Sequence, residues 1–214
     1  MTERNTPMEK RYDKYGPKVA ENLKRRHFDA YYCQTAEEAK AKVLSLIPEG
    51  DVVAWGGSET VSRLGILDEV KKTNPVIDRD SAATPEERTD LMRKALLCDT
   101  FLMSSNAISE DGQLFNIDGN GNRVAALVYG PKSVIVVAGM NKVAKTVEDA
   151  ESRARNVAAP LNAQRFPMPN PCNVIGTCAD CLNENSICAS MLRTRICRPA
   201  GKIKVVLVGE TLGF

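Results

Sequence analysis

The sequence carries one histidine, His27, in 214 residues, and only 5% of its residues are aromatic. That histidine falls at the end of a charged N-terminal helix, so neither a Ser-His-Asp triad nor an H-E-x-x-H zinc site can be built, and His27 itself reads as a surface residue. Long apolar runs are missing too. The longest, such as "SVIVVAGM", are far too short to span a bilayer, and the charged opening "MTERNTPMEKRYDKYG" has no apolar signal core. The expectation is a cytoplasmic protein without a membrane partner. Neither sign of charge dominates: 29 lysines and arginines stand against 27 acidic residues and alternate with them. This pattern excludes a nucleic-acid stripe and a polybasic anchor, and leaves a small molecule as the partner.

Nucleotide fingerprints are also absent. In "DGNGNRVAA" Val124 stands where the third glycine of G-x-G-x-x-G belongs, and "GPKS" at 130–133 lacks the glycine spacing of a phosphate-binding loop, so no nucleotide cofactor is supported.

What is present is a 43% hydrophobic chain of a length suited to one α/β domain. The expected organisation is a single domain over 1–214, with a helical N-terminal extension at 1–27 and a cysteine-rich insertion at 171–198 before the last strand. Residues 8–26 predict an amphipathic helix and "FDAYYC" a strand. Thr35 and Glu38 predict a capping box for a helix running to about Ile47. "DVVAW" predicts a strand, followed by a helix from Ser58 towards Lys72. "PVID" predicts a short strand, and Thr84, Pro85 and Glu87 open a clear helix. "TFLMS", "GQLFNID", "SVIVVAG" and "KIKVVLVGE" read as further strands, "NRVAALVY" and 146–165 as helices, and "SNAISEDG" as a polar turn. Strands alternating with helices imply a largely parallel sheet covered on both faces.

In such sheets ligands bind beyond the carboxyl ends of the strands. Four polar segments follow apolar strands here: Gly56, Gly57, Ser58, Glu59 and Thr60; the turn containing Asn106 and Glu110; Asp118, Gly119, Asn120, Gly121, Asn122 and Arg123; and Asn141 with Lys142. Their convergence on one crevice would place backbone donors of the glycine turn, Arg123 and Lys142 around an anion. Glu59 and Glu110 are the carboxylates available as base or nucleophile, and either serves equally well as a solvated turn residue. Arg123 at a helix start opposes the helix dipole, which points to an anionic partner or to a buried carboxylate such as Asp118.

Five of the seven cysteines crowd into residues 172–197. Cys172, Cys178, Cys181 and Cys188 have C-x5-C-x2-C-x6-C spacing, which suits a four-sulfur shell around zinc or an iron-sulfur cluster. Reduced cysteines, with one redox-active pair, are the competing reading. Cys197 has no assigned role.

Together, "GGSETVSRLGI", the block from "SNAISEDGQLFNIDGNGNRVAALVYG" to "GMNKV", the cysteine segment and "KVVLVGETLGF" resemble the LUD-domain family, which includes lactate utilization protein C. The cysteine segment resembles a separate branch of that family. The resemblance implies a three-layer α/β/α fold of the ribose-phosphate isomerase and CoA-transferase type. It further implies a role in L-lactate or other 2-hydroxy acid oxidation and iron-sulfur redox subunits as partners, beside the small anionic metabolite to which the four polar segments point. It tilts the cysteine site towards an iron-sulfur cluster over zinc. The alternative function is a non-catalytic, metal-containing scaffold subunit of a redox complex. Either function leaves a homo-oligomer open.

Overall fold

The computed structural model describes residues 6–214. Its frame is a six-stranded sheet in which every pair is parallel, in the order β1 (Asp29–Cys33), β10 (Ile203–Val208), β7 (Ser133–Gly139), β4 (Thr100–Met103), β2 (Val53–Trp55), β3 (Val76–Ile77). The three-layer arrangement follows from side-chain alternation along the central strands. Val134, Val136 and Ala138 of β7, with Val205 and Leu207 of β10, enter one apolar cluster with Val19 and Leu23; Ile135, Val137, Val206 and Val208 enter the other with Val43, Ile66 and Val70. A strand buried on both faces must read as a continuous apolar run, and β7 does.

The first face is covered by α1 (Pro7–Arg25), which buries Tyr12, Val19, Ala20 and Leu23 and is therefore part of the core packing. The second is covered by α2 (Ala36–Ser45), α3 (Glu59–Arg63) and α4 (Ile66–Thr73). Thr35 caps α2 by accepting from Glu38 N at 3.2 Å, while the Glu38 carboxylate reaches the amide of Gln34 in place of its expected target at Thr35. Thr84 likewise caps α5 (Pro85–Lys94). The helix expected from Ser58 to Lys72 is two helices. Gly65 at φ +60° ends the first and opens the second, a backbone conformation that side-chain-bearing residues rarely adopt.

A second sheet was not legible in the strand pattern. It runs β8 (Val143–Ala144), β5 (Ala107–Ser109), β6 (Leu114–Asp118), β9 (Ser190–Thr194), with β6 antiparallel to both of its neighbours. The segment "SNAISEDG" expected as a polar turn contains β5, three fully buried residues, so "GQLFNID" pairs here and not in the parallel sheet. Behind β5 and β6 packs a long helical segment, α7 (Val147–Arg153), a π turn (Ala154–Ala158) and α8 (Ala159–Ala163). Pro160 has no amide hydrogen to donate back along the helix, which accounts for the wider turn preceding it. Residues 122–128 form α6 and residues 171–175 the one-turn α9. No helix among the described residues is long and apolar enough to cross a membrane.

Candidate functional site

Strands β2, β4 and β7 are neighbours, so the loops at their carboxyl ends must meet. The first loop brings Gly56 to Thr60, the second Ser104 to Asn106, and the third Asn141 and Lys142. The fourth polar segment, 118–123, arrives from β6 of the second sheet. Apart from Asn141 and Gly121, they line a cleft of about 720 Å³ with an inner recess of about 40 Å³, the two sharing Gly57, Ser58, Arg123, Asn162 and Arg165.

Lys142 lies at the base of the recess and is 4% exposed. Its ammonium donates to Thr60 Oγ1 at 3.0 Å and to Ser104 Oγ at 2.9 Å. No carboxylate pairs with it among the described residues. Burial, followed by the positive charges of Arg153 and Arg123, lowers its amine to about 7. Arg153 is itself held by the site's backbone, donating to the carbonyls of Asn106 at 2.6 Å and Asn141 at 3.1 Å, and burial lowers its guanidinium as well. Among the side chains of the described residues that line the recess, three are cations, Arg123, Lys142 and Arg165, and one is a carboxylate, Glu59; Phe214 lines it as well. Glu59 is already engaged by Arg63 at 2.7 Å and by Arg165 at 4.0 Å.

The glycine pair has a steric explanation. Gly56 and Gly57 do not have positive φ. A Cβ on Gly56 would lie 2.6 Å from Cδ of Arg123, and one on Gly57 would lie 2.5 Å from Nη2 of Arg79. The missing side chains let two arginines lie against the backbone at the mouth of the recess. Helix α3 beyond them has only five residues. The arginines that rest on the glycines therefore matter more to the cleft's charge than that helix's dipole.

Asp118 is buried beneath the turn 119–123. Its carboxylate accepts from the amides of Arg123 at 2.8 Å, Val124 at 3.2 Å and Asn120 at 3.3 Å, and lies 3.4 Å from Arg123 Nε. Arg123 also donates to the carbonyl of Ile117. Asp118 thus positions Arg123, and Gly119, Asn120 and Asn122 form the cleft wall, while Gly121 at φ +76° serves as the N-cap of α6. Asn106 lines the recess and accepts from Ile117 N.

Two expected residues lie elsewhere. Glu110 follows β5, which carries the chain away from the recess; it lines a different cleft with Lys10, Arg11 and Lys14, and binds Lys18 at 2.7 Å, Lys145 at 2.8 Å and the Tyr15 hydroxyl at 2.9 Å. Those partners lower its carboxyl to about 2, which marks a structural tie to α1 and no proton acceptor for the recess. Asn141 faces the segment 210–214, accepting from Leu212 N at 3.1 Å. The sequence reading missed Arg79, Arg88, Asn162 and Arg165, which come from loops and helices with no polar turn to advertise them.

The cysteines form a second cavity. Cys172, Cys178, Cys181 and Cys188 all line a space of about 180 Å³ with Ile117, Ala159, Pro160 and Arg155. Burial, then the neighbouring Cys178, Cys172 and Cys181, pushes the Cys188 thiol up to about 11. Among the described residues no three His, Cys, Asp or Glu side chains converge closely enough to hold a single ion. Ser186 and Ile187 line both this cavity and the anion cleft.

Comparison with known proteins gives three findings. The LUD domain family model matches residues 16–208. A DUF162 family protein from Deinococcus radiodurans has a similar fold, at 12% identity and a TM-score of 0.53, covering 92% of this chain and 97% of that one. Ribose 5-phosphate isomerase A from Methanocaldococcus jannaschii aligns at 16% identity and a TM-score of 0.35, over 52% of this chain and 55% of its own. No curated protein matches the sequence.

Proposed function

From the premise that the chain belongs to the LUD domain family, we propose that its cleft binds a small anionic metabolite, with the anionic group in the recess between Lys142, Arg123 and Arg165. The observation that carries this reading is Lys142: a lysine 4% exposed, hydrogen-bonded to two hydroxyls and, among the described residues, paired with no acid. A buried amine in that setting favours its neutral form until an anion supplies the missing charge. The recess has room for a carboxylate-sized group, and the wider cleft for the remainder of a metabolite.

The family name supports a 2-hydroxy acid or its 2-oxo counterpart, L-lactate or pyruvate, as the metabolite, handled together with iron-sulfur partner subunits. Thermal-shift measurements with lactate, pyruvate, CoA esters and sugar phosphates test the reading. Stabilisation by at least one of these anions, lost in Lys142→Met, is expected; a folded protein that none of them stabilises would overturn it. Recovery of the protein from its native host with redox subunits, and not alone, is the matching expectation for the partners.

A further inference from the structure

We propose that Cys172, Cys178, Cys181 and Cys188 together hold one [4Fe-4S] cluster, and that the cluster fixes the wall of the anion cleft formed by Glu184 to Ile187. The significance of that wall for ligand binding rests on the function proposed above; the cluster itself does not.

Little else orders this segment. Val174 is 78% exposed, Ile175 59% and Leu182 100%, so these three contribute almost nothing to a core, and only Ile187 and Cys188 at the segment's end pack inward. Its internal ties are a few side-chain contacts, such as Gln164 Nε2 to the Cys172 carbonyl at 3.0 Å and Asn170 Nδ2 to the Asn185 carbonyl at 3.1 Å. Yet the four cysteines, spread over seventeen residues from 172 to 188 that hold no regular structure beyond the one-turn α9, all line one cavity. Thiolate ligation supplies the missing cohesion, since a structural metal centre contributes on the order of 10 kcal/mol to folding.

The size of the gap separates a cluster from a single ion. Zinc bonded at about 2.3 Å would draw four sulfurs to within about 3.8 Å of one another. Here the four cysteines line a space of about 180 Å³, and among the described residues no three of them are gathered as a single ion would need. A cubane cluster occupies such a space and is reached by cysteines from its corners. The surroundings suit its chemistry: Ile117, Ala159 and Pro160 border the cavity with apolar surface, and Arg155, which also pairs with Asp180 and whose Nε is buried without a hydrogen-bond partner, brings positive charge to a four-thiolate centre.

The link to the cleft is steric. Ser186 and Ile187 lie between the two cavities, and the backbone of Ile187 packs so closely on Gly119 that a Cβ there would meet it at 3.1 Å. Just past Cys188, Ser190 of β9 pairs with Asp118, the residue that positions Arg123. Fixing Cys188 therefore fixes the start of the turn, Asp118 and Gly119, from which Arg123 is held.

The test is anaerobic reconstitution of the full chain with sulfide and equal amounts of ferrous and ferric iron, two of each per cluster, which gives the oxidised [4Fe-4S]2+ state without a further oxidant. About four irons and four sulfides per chain, with broad visible absorption bleached by dithionite, are expected. Cys181→Ser should lose most of the iron, and Cys98→Ser, at a buried cysteine outside the cavity, should keep it. One zinc per chain, or iron retained equally by both variants, would overturn the cluster. Hydrogen exchange on the loaded and metal-free protein tests the wall: slower exchange at 118–123 and 184–188 on loading is expected, and unchanged exchange there with the cluster present would refute the coupling. Neither readout uses an anion, so both stand or fall separately from the metabolite reading.

Discussion

Around Lys142 the chain is held by packing, and around Cys181 it is held by almost none. The recess stands on β2, β4 and β7, where Leu102, Ile135 and Val136 are completely buried and each strand is hydrogen-bonded to its neighbours. The cysteine cavity stands on loops whose largest apolar residues face solvent. A site built on a parallel sheet is preformed and sets the charge states of its residues by burial. A site built on loops takes its order from what its side chains bind. The shared residues Ser186 and Ile187 are where the second kind of order reaches the first.

The largest effect that separates the two regions is a cavity in the sheet. Leu102→Ala should cost about 2–5 kcal/mol in urea denaturation, because a fully buried side chain leaves a void that the sheet cannot close. Cys181→Ser should leave the main unfolding transition nearly unchanged while raising proteolysis within 170–189. Equal losses of global stability would erase the distinction drawn here.

Lys142→Met should act in the opposite direction. The unfolded lysine titrates near 10.5 and the folded one at about 7, so between these values the unfolded chain binds more protons and stability rises with pH. The burden of the buried amine is complete below pH 7 and gone above about 10.5. The variant should therefore be more stable than the parent by on the order of 2–4 kcal/mol at pH 6–7, and the gap should close towards pH 10. Melting curves across this range check both the sign and the window; a variant that is less stable at pH 6 would contradict it.

The glycine pair gives a finer contrast. Gly56→Ala meets the stem of Arg123, which cannot move without releasing Asp118 and the Ile117 carbonyl, so a loss of about 1–3 kcal/mol is expected. Gly57→Ala meets only the tip of Arg79, which can swing aside, and should cost less than Gly56→Ala. Denaturation midpoints of the two variants decide the order. The smallest effect belongs to Glu110→Gln, far from either site. Its carboxyl, lowered to about 2 by Lys145, Lys18 and Tyr15, supports the fold above about 4.5 and loses that support as pH falls towards 2. The variant should flatten acid unfolding in that window and leave anion binding intact.

The strands of the parallel sheet could be read from the sequence because burial on both faces leaves unbroken runs such as "SVIVVAG", and helix starts could be read because Thr35 and Thr84 cap them with their own side chains. The convergence of Gly57, Asn106, Arg123 and Lys142 was legible through the rule that ligands gather beyond strand ends. The second sheet was not. Strand β5 is three residues long with a buried serine, and β9 alternates exposed and half-buried residues, so neither departs from a loop in composition. Glu110 was misplaced for the same reason: once β5 is read as a turn, the residues at its two ends look adjacent. Arg79 and Arg165 reach the cleft from distant segments, and only the missing Cβ atoms of Gly56 and Gly57 hinted that something large would lie there.

The central claim, that an anion binds where Lys142 waits uncompensated, is tested most directly by counting protons. Calorimetric titration of pyruvate into the protein at pH 8, repeated in buffers of different ionisation enthalpy, reports the protons taken up per anion bound. An amine at about 7 is mostly neutral at pH 8 and must be charged to hold a carboxylate, so uptake close to one proton is expected in the parent, and none in Lys142→Met. Pyruvate binding without proton uptake, or with equal affinity for the variant, would contradict the account.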